Sequence, residues 1–174
     1  MQSLVAPPLT LEPLVADHAE SMFAVLSDPR IYEHLDYGPP TSIEELRQVY
    51  ARREARCSPD GKQQWLNWVL RLDSADASEF TGYVQATIEP DNLAWIAYVL
   101  APSYWGEGHA GRACMVMMDH LRTHYGVSRF AATVEAGNER SIALLTRLGL
   151  RLAGEAEVLQ HSLTHSERLF VRQD

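Results

Sequence analysis

Cysteine is scarce in this chain, with only Cys57 and Cys114 among 174 residues. A disulfide scaffold needs more, so that class is set aside, and both thiols, which fall in predicted helices, are expected to be reduced. Long apolar runs are missing too. None approaches the roughly 18 residues that span a bilayer, so no membrane partner is expected. The opening MQSLVAPPLTLEPL lacks a basic region followed by an apolar core and a small-residue cleavage site. No secretory signal is evident, and the expected compartment is cytoplasmic. Positive charge is also in short supply: 15 Lys and Arg face 23 Asp and Glu, a net charge of −8. Nucleic-acid binding needs a basic face, so no nucleic-acid partner is expected. The acidity is compatible with cationic substrates, although it also serves solubility.

What is present is ordinary for a globular protein: 46% apolar and 22% charged residues. A chain of this length fits one domain, 1–174, and can bury roughly two-thirds of its unfolded surface. No repeat, low-complexity segment or linker divides it.

Leu9 to Val15 reads as a strand after the Pro7-Pro8 pair, with Pro13 marking an edge. Asp17 starts a helical pattern that Asp28-Pro29 stops. Tyr32 to Pro40 is a loop whose Tyr32, Glu33, His34, Asp36 and Tyr37 suit a substrate mouth. Thr41 or Ser42 caps a second helix, with Glu44 and Glu45 in its first turn and Arg52, Arg53 and Arg56 toward its end. Ser58-Pro59-Asp60-Gly61 closes it. Three strands follow, Trp65 to Leu72, Glu79 to Ile88 and Leu93 to Leu100, joined by short polar turns that predict antiparallel hairpins.

After Leu100 come a proline, two aromatics and three glycines within six residues, Gly106, Gly108 and Gly111. A long helix is predicted over His109 to Tyr125, closed by Gly126, with Ala110, Cys114, Met117, Met118, Leu121 and Tyr125 on one core face. Glycines admit positive φ and bring a ligand close to bare N–H groups. A helix start has four amides without partners and a partial positive charge, so this turn reads as a phosphate cradle. Gly106-x-Gly108-x-x-Gly111 also fits a dinucleotide fingerprint, a weak match alone. The antiparallel strands before it, about five intervening residues and the short chain after it do not suit a doubly wound sheet. Ser128 to Glu135 reads as a strand, Asn138 to Leu148 as a helix ended by Gly149, and Arg151 to Val171 as two strands around a polar turn at Ser162 to Ser166.

At this point a resemblance becomes specific. Trp105-Gly106-Glu107-Gly108-His109-Ala110 is similar to the Q/R-x-x-G-x-G/A acetyl-CoA loop of the GNAT acetyltransferase superfamily, with Trp105 where many members carry Gln or Arg. The segment from Asn138 to Leu150 resembles the family's N-x-x-S-x-x-L-L-x-x-L-G-F helix, and the Trp-Gly pair with Ser141 resembles its RimJ/RimL-like branch. The likeness covers nearly the whole element order, with its specific motifs between about 98 and 150.

The resemblance implies an α/β (α+β) fold, a mixed, largely antiparallel sheet of six to seven strands flanked by about four helices. It implies acetyl-CoA as co-substrate and a primary amine as acceptor, small molecule or protein N-terminus, acetylated by direct attack in a ternary complex. No metal is implied. By the same resemblance the backbone of Val99 and Leu100 grips the pantetheine arm beside a splay between two strands, and the residues Trp105, Gly106, Glu107, Gly108, His109, Ala110 and Gly111 hold the pyrophosphate. Asn138 contacts the pantetheine region, with a helix cap as its plainer role, and Ser141 protonates the leaving thiolate. The Tyr acid of many members is Leu145 here, and the Glu base of some RimL-like proteins aligns with Gln160. Glu89, Glu135, His34 and His109 remain candidates for the base, while Glu155 and Glu157 have the wrong strand parity. The acceptor mouth is expected from Tyr32 to Tyr37, Trp65 to Trp68, Tyr83 to Thr87 and the final hairpin. Its aromatics also suit a dimer surface, so monomer and homodimer both stay open. A second class, a non-catalytic acyl-CoA-binding sensor or interaction module, fits the missing Tyr and Glu.

Overall fold

A computed structural model describes residues 1–73, 78–159, 161, 163–164 and 166–173. In chain order the elements are β1 (Leu4–Ala6), β2 (Leu9–Pro13), α1 (Ala19–Leu26), α2 (Ile43–Glu54), β3 (Gln64–Asp73), β4 (Ser78–Ile88), β5 (Leu93–Leu100), α3 (His109–Tyr125), β6 (Arg129–Glu135), α4 (Glu139–Arg147), β7 (Arg151–Leu152), α5 (Glu155–Val158) and β8 (Glu167–Gln173). Short 3-10 turns at Ala16–His18, Pro29–Tyr32 and Pro102–Tyr104 join some of them.

Local chemistry explains the helix ends. Ser42 caps α2 by accepting from the Glu45 N–H at 3.1 Å, and Glu44 and Glu45 sit in the positive first turn. Asn138 caps α4 the same way, its Oδ1 accepting from Ser141 N–H at 3.1 Å. Gly126 ends α3 in the left-handed conformation that a side chain would resist.

The strands form one sheet in the order β1-β2-β3-β4-β5-β6-β8-β7. Every neighbouring pair is antiparallel except β5 and β6, which are parallel. That exception positions the site. The parallel ladder covers only Leu93 to Trp95 against Arg129 to Ala131, so β5 beyond Trp95 and β6 beyond Ala131 have no mutual pairing. A gap therefore opens between them toward their C-terminal ends.

Helices cover both faces, because alternate side chains of each strand are apolar on both sides. Leu66, Trp68, Leu70, Val84 and Ile96 pack under α3 and α4, where the predicted Cys114, Met117, Met118 and Leu121 stripe is buried. Val69 and Tyr83 face the other way, onto Met22 and Leu26 of α1 and Leu46 and Tyr50 of α2. Among the described residues no helix is long and apolar enough to cross a membrane.

Among the described residues the sheet has eight strands, where six or seven were expected, and five α-helices flank it, where about four were expected. The extra strand at the start, β1, folds back on β2 through Pro7-Pro8, and β2 stops at Pro13 instead of Val15. Cys57 is not helical: α2 ends at Glu54, Arg56 follows with φ 59, and Cys57 makes an isolated bridge to Gln64. The predicted closing hairpin is also different. Its first strand is only Arg151–Leu152, and Glu155–Val158 is a helical turn, so strand parity says nothing about Glu155 or Glu157. Gly154 starts that turn, with its N–H held by Glu157 Oε2 at 2.8 Å. Of the expected turn at Ser162 to Ser166, positions 162 and 165 lie outside the described residues, as does Gln160.

Candidate active site

The gap between β5 and β6 opens directly onto the glycine turn. Gly106 and Gly108 have φ of 85° and 78°, and a Cβ at either would meet nothing within 4 Å. Gly108 is the N-cap of α3, no side chain caps that helix, and no acidic residue lies in its first turn. The amides there stand bare beside open space, an arrangement that suits phosphate oxygens. Gly111 instead packs inward, since a Cβ there would sit 3.3 Å from Leu144 Cδ1 on α4. Behind the turn, His109 is buried. Its Nε2 lies 2.9 Å from Glu107 Oε2, yet neither ring nitrogen has hydrogen-bond geometry to a partner.

Trp105 acts as a strut between the turn and its flanks. Its indole Nε1–H donates to the Leu100 carbonyl at 2.8 Å, and Arg140 of α4 stacks on the ring, 3.9 Å from its centroid. Leu100 thus turns its carbonyl toward the gap side of β5. Val99 turns its own toward β4, where it would lie 2.0 Å from a Cβ on Gly82. Because main-chain groups alternate sides along a strand, those facing the gap belong to Tyr98 and Leu100. Of the expected pair, Val99 and Leu100, only Leu100 turns its main chain to the gap, beside Tyr98.

Tyr98 also brings a hydroxyl into the gap. Its Oη lies 2.6 Å from Ser141 Oγ and 3.2 Å from the Ser141 carbonyl oxygen. Burial pushes the Tyr98 hydroxyl up, so it stays protonated. Asn138 holds the Ser141 amide, so Asn138, Ser141 and Tyr98 form one hydrogen-bonded unit across α4 and β5. Burial also pushes the Cys114 thiol up to about 12, so it supplies no thiolate for a covalent route.

On the opposite face, loop and strand ends meet. His34 Nδ1 lies 3.0 Å from Glu135 Oε2, joining the loop after α1 to the end of β6 at the open mouth of the gap. Glu89 sits at the other end, in the β4–β5 turn, where it accepts from Gln63 Nε2 at 2.9 Å. The structure therefore separates two carboxylates that the sequence left equivalent. Tyr37 reaches Tyr83, with hydroxyls 3.4 Å apart, and Trp95 meets His161 edge-on at 5.0 Å. Sequence reasoning missed Tyr98, Arg140 and Gly82. One signal was available: Tyr98 is a hydroxyl-bearing residue on the apolar face of β5, between Ile96 and Leu100.

A mixed sheet whose one parallel pair parts beside an open helix start is a framework for a long phosphate-bearing ligand threaded between two strands. The family is more definite. Residues 8–151 match the acetyltransferase (GNAT) domain, so the chain belongs to that family and is an acetyltransferase. It is similar to the "Uncharacterized N-acetyltransferase p20" of Bacillus licheniformis, 25% identical over 154 residues that cover 88% of this chain and 85% of that one. Its fold is similar to a RimL ribosomal L7/L12 alpha-N-protein acetyltransferase solved with coenzyme A, with TM-score 0.80, 21% identity, and 98% and 97% of the two chains covered. A Salmonella typhimurium acetyl transferase that modifies the N-terminal serine of ribosomal protein L7/L12 gives TM-score 0.78 at 19% identity, with 99% of each chain covered.

Proposed function

We propose that this protein is an N-acetyltransferase that moves an acetyl group from acetyl-CoA to a primary amine, on a small molecule or a protein N-terminus, by direct attack in a ternary complex. The observation that carries the reading is the unpaired stretch of β5 and β6 lying between a bare helix start and a hydroxyl pair. Acetyl-CoA, when bound, supplies an activated thioester and a thiolate leaving group. The amides around Gly106 to Gly111 hold its phosphates, with the Arg140 guanidinium nearby on Trp105. The free N–H groups of Tyr98 and Leu100 orient the arm and steady charge on the carbonyl oxygen. Ser141 gives a proton to the departing sulfur, and Tyr98 directs that hydroxyl. Asn138 fixes the start of α4 and so the position of Ser141. Holding both reactants in one cleft contributes several kcal/mol of barrier reduction on its own.

His34 takes the amine proton and Glu135 orients its ring, the arrangement of a base held by a carboxylate. His34→Gln is expected to lower kcat/KM about 100-fold, within the range for a positioned acid or base, while the affinity for acetyl-CoA stays the same. Glu135→Gln has a smaller effect in the same direction. Steady-state kinetics checks this; unchanged turnover in His34→Gln removes the base assignment.

Release of free CoA in the presence of a panel of primary amines, with mass spectrometry of the products, tests the function itself. Amine-dependent release with N-acetylated product is the expected result. Tight acetyl-CoA binding without release for any amine describes the non-catalytic sensor instead.

A further inference from the structure

One cleft lies outside the machinery just described. It is floored by Trp65 and Asn67 of β3 and by Gln85, Ala86 and Thr87 of β4, and Arg53 in the last turn of α2 overhangs it. The ladder pairs Asn67 with Gln85 and Trp65 with Thr87, which puts these four side chains in two rows on the sheet face shared by α1 and α2. Among the described residues that line it there is one cation and no carboxylate.

Arg53 differs from many arginines of this chain. Arg30 pairs with Asp28, Arg129 with Asp91 and Arg151 with Glu157. Among the described residues no hydrogen bond or ion pair engages the Arg53 guanidinium, although it is half-buried. Its charge is felt at the hydroxyls of Tyr50 and Tyr83, where it opposes the burial that raises both. The Tyr50 hydroxyl is itself buried with no hydrogen-bond partner. A half-buried guanidinium is costly to leave unmatched. The fork of donors it presents, backed by two amide side chains and a hydroxyl, is matched by a carboxylate.

Resting on the acetyltransferase reading above, we infer that Arg53, with Asn67, Gln85 and Thr87, is the acceptor-specificity site, and that it selects primary amines carrying a carboxylate. The distance sets the length of the acceptor. The cleft straddles β3 and β4, and the gap straddles β5 and β6, two strand spacings of roughly 4.8 Å away. Gln85 pairs with Ala97, one to three residues short of the gap-facing Tyr98 and Leu100, so the carboxylate lies about 10–14 Å from the nitrogen. An α-carboxylate is too close. A side-chain carboxylate on the second or third residue of a peptide, or a long ω-amino acid, spans it. This preference runs against the cationic substrates that a net charge of −8 alone suggests, because the local cation outweighs distant charges screened by salt.

The test is calorimetric titration of matched ligands, with and without CoA. C-amidated Ser-Glu-Glu-Ala is compared with Ser-Gln-Gln-Ala, and 8-aminooctanoate with octylamine; which acid shows preference separates peptide from small-molecule sources. The expected result is at least tenfold tighter binding of one acid than of its neutral partner, the scale of a charge-assisted pair, and a ratio near one in Arg53→Met. Equal binding of acid and neutral ligands, no binding of either acid, or a ratio that survives Arg53→Met overturns the site. CoA release from acetyl-CoA is read separately: acids that bind through Arg53 while no amine of the panel releases CoA refute the transferase reading and leave the carboxylate site standing.

Discussion

Gly82→Ala is expected to destabilise the fold by about 1–2 kcal/mol and to weaken acetyl-CoA binding at least tenfold. Gly82 faces Leu70 across a bulge at which Thr81 has no partner of its own in the β3 register. The Thr81 carbonyl accepts from Ala101 N–H at 2.8 Å, tying the end of β5 to the bulge. A Cβ at Gly82 would lie 2.0 Å from the Val99 carbonyl oxygen and 2.8 Å from Leu100 Cα, both backbone atoms that no rotamer change can move aside. The strand itself must shift, and forced overpacking of this kind costs about 1–3 kcal/mol. The entropy that alanine removes from the unfolded chain offsets at most about 1 kcal/mol. Because the shifted atoms belong to the strand end that flanks the gap, affinity falls with stability. Urea unfolding and calorimetry read both, and an alanine variant with normal values of each contradicts the role given to Gly82.

Ser141→Ala is expected to lower kcat by about 100-fold or more, the usual contribution of a positioned acid, with acetyl-CoA affinity unchanged. Tyr98→Phe removes only the hydroxyl that contacts Ser141 and is expected to lower kcat about tenfold. Since both act on one proton, the double variant should be little worse than Ser141→Ala alone, the signature of residues in one hydrogen-bonded unit. Additive losses, or full turnover in Ser141→Ala, would separate the pair or remove the acid.

The sequence made some parts of this molecule readable and concealed others, for physical reasons. The span His109–Tyr125 of α3 was read to the residue, because a 3.6-residue apolar stripe between two glycines is a local signal. Polar turns between alternating strands made β5 equally plain, and β4 differs only in starting at Ser78 instead of Glu79. Three-residue β1 is too short to show a period, and its burial comes from pairing with β2. The turn Glu155–Val158 follows from the Glu157 carboxylate closing on Gly154, a contact that alternation rules do not see. In the site, the glycine turn and the Asn138–Ser141 spacing were visible because each lies within a few residues. Tyr98 meets Ser141 across 43 positions, and His34 meets Glu135 across 101. Only the folded chain puts Glu135 at the mouth of the gap and Glu89 at its far end, or shows that the gap-facing backbone is that of Tyr98 and Leu100.

The account depends on main-chain amides at the start of α3 gripping acetyl-CoA, and a calorimetric titration of acetyl-CoA into the native chain and Gly108→Val tests it most directly. Valine at Gly108 points into open space rather than into protein, and its left-handed φ costs about 1–2 kcal/mol, so the variant still folds. One-to-one binding by the native chain, weakened at least tenfold in Gly108→Val, is the predicted result. The same affinity in both proteins, or no binding by either, would contradict it.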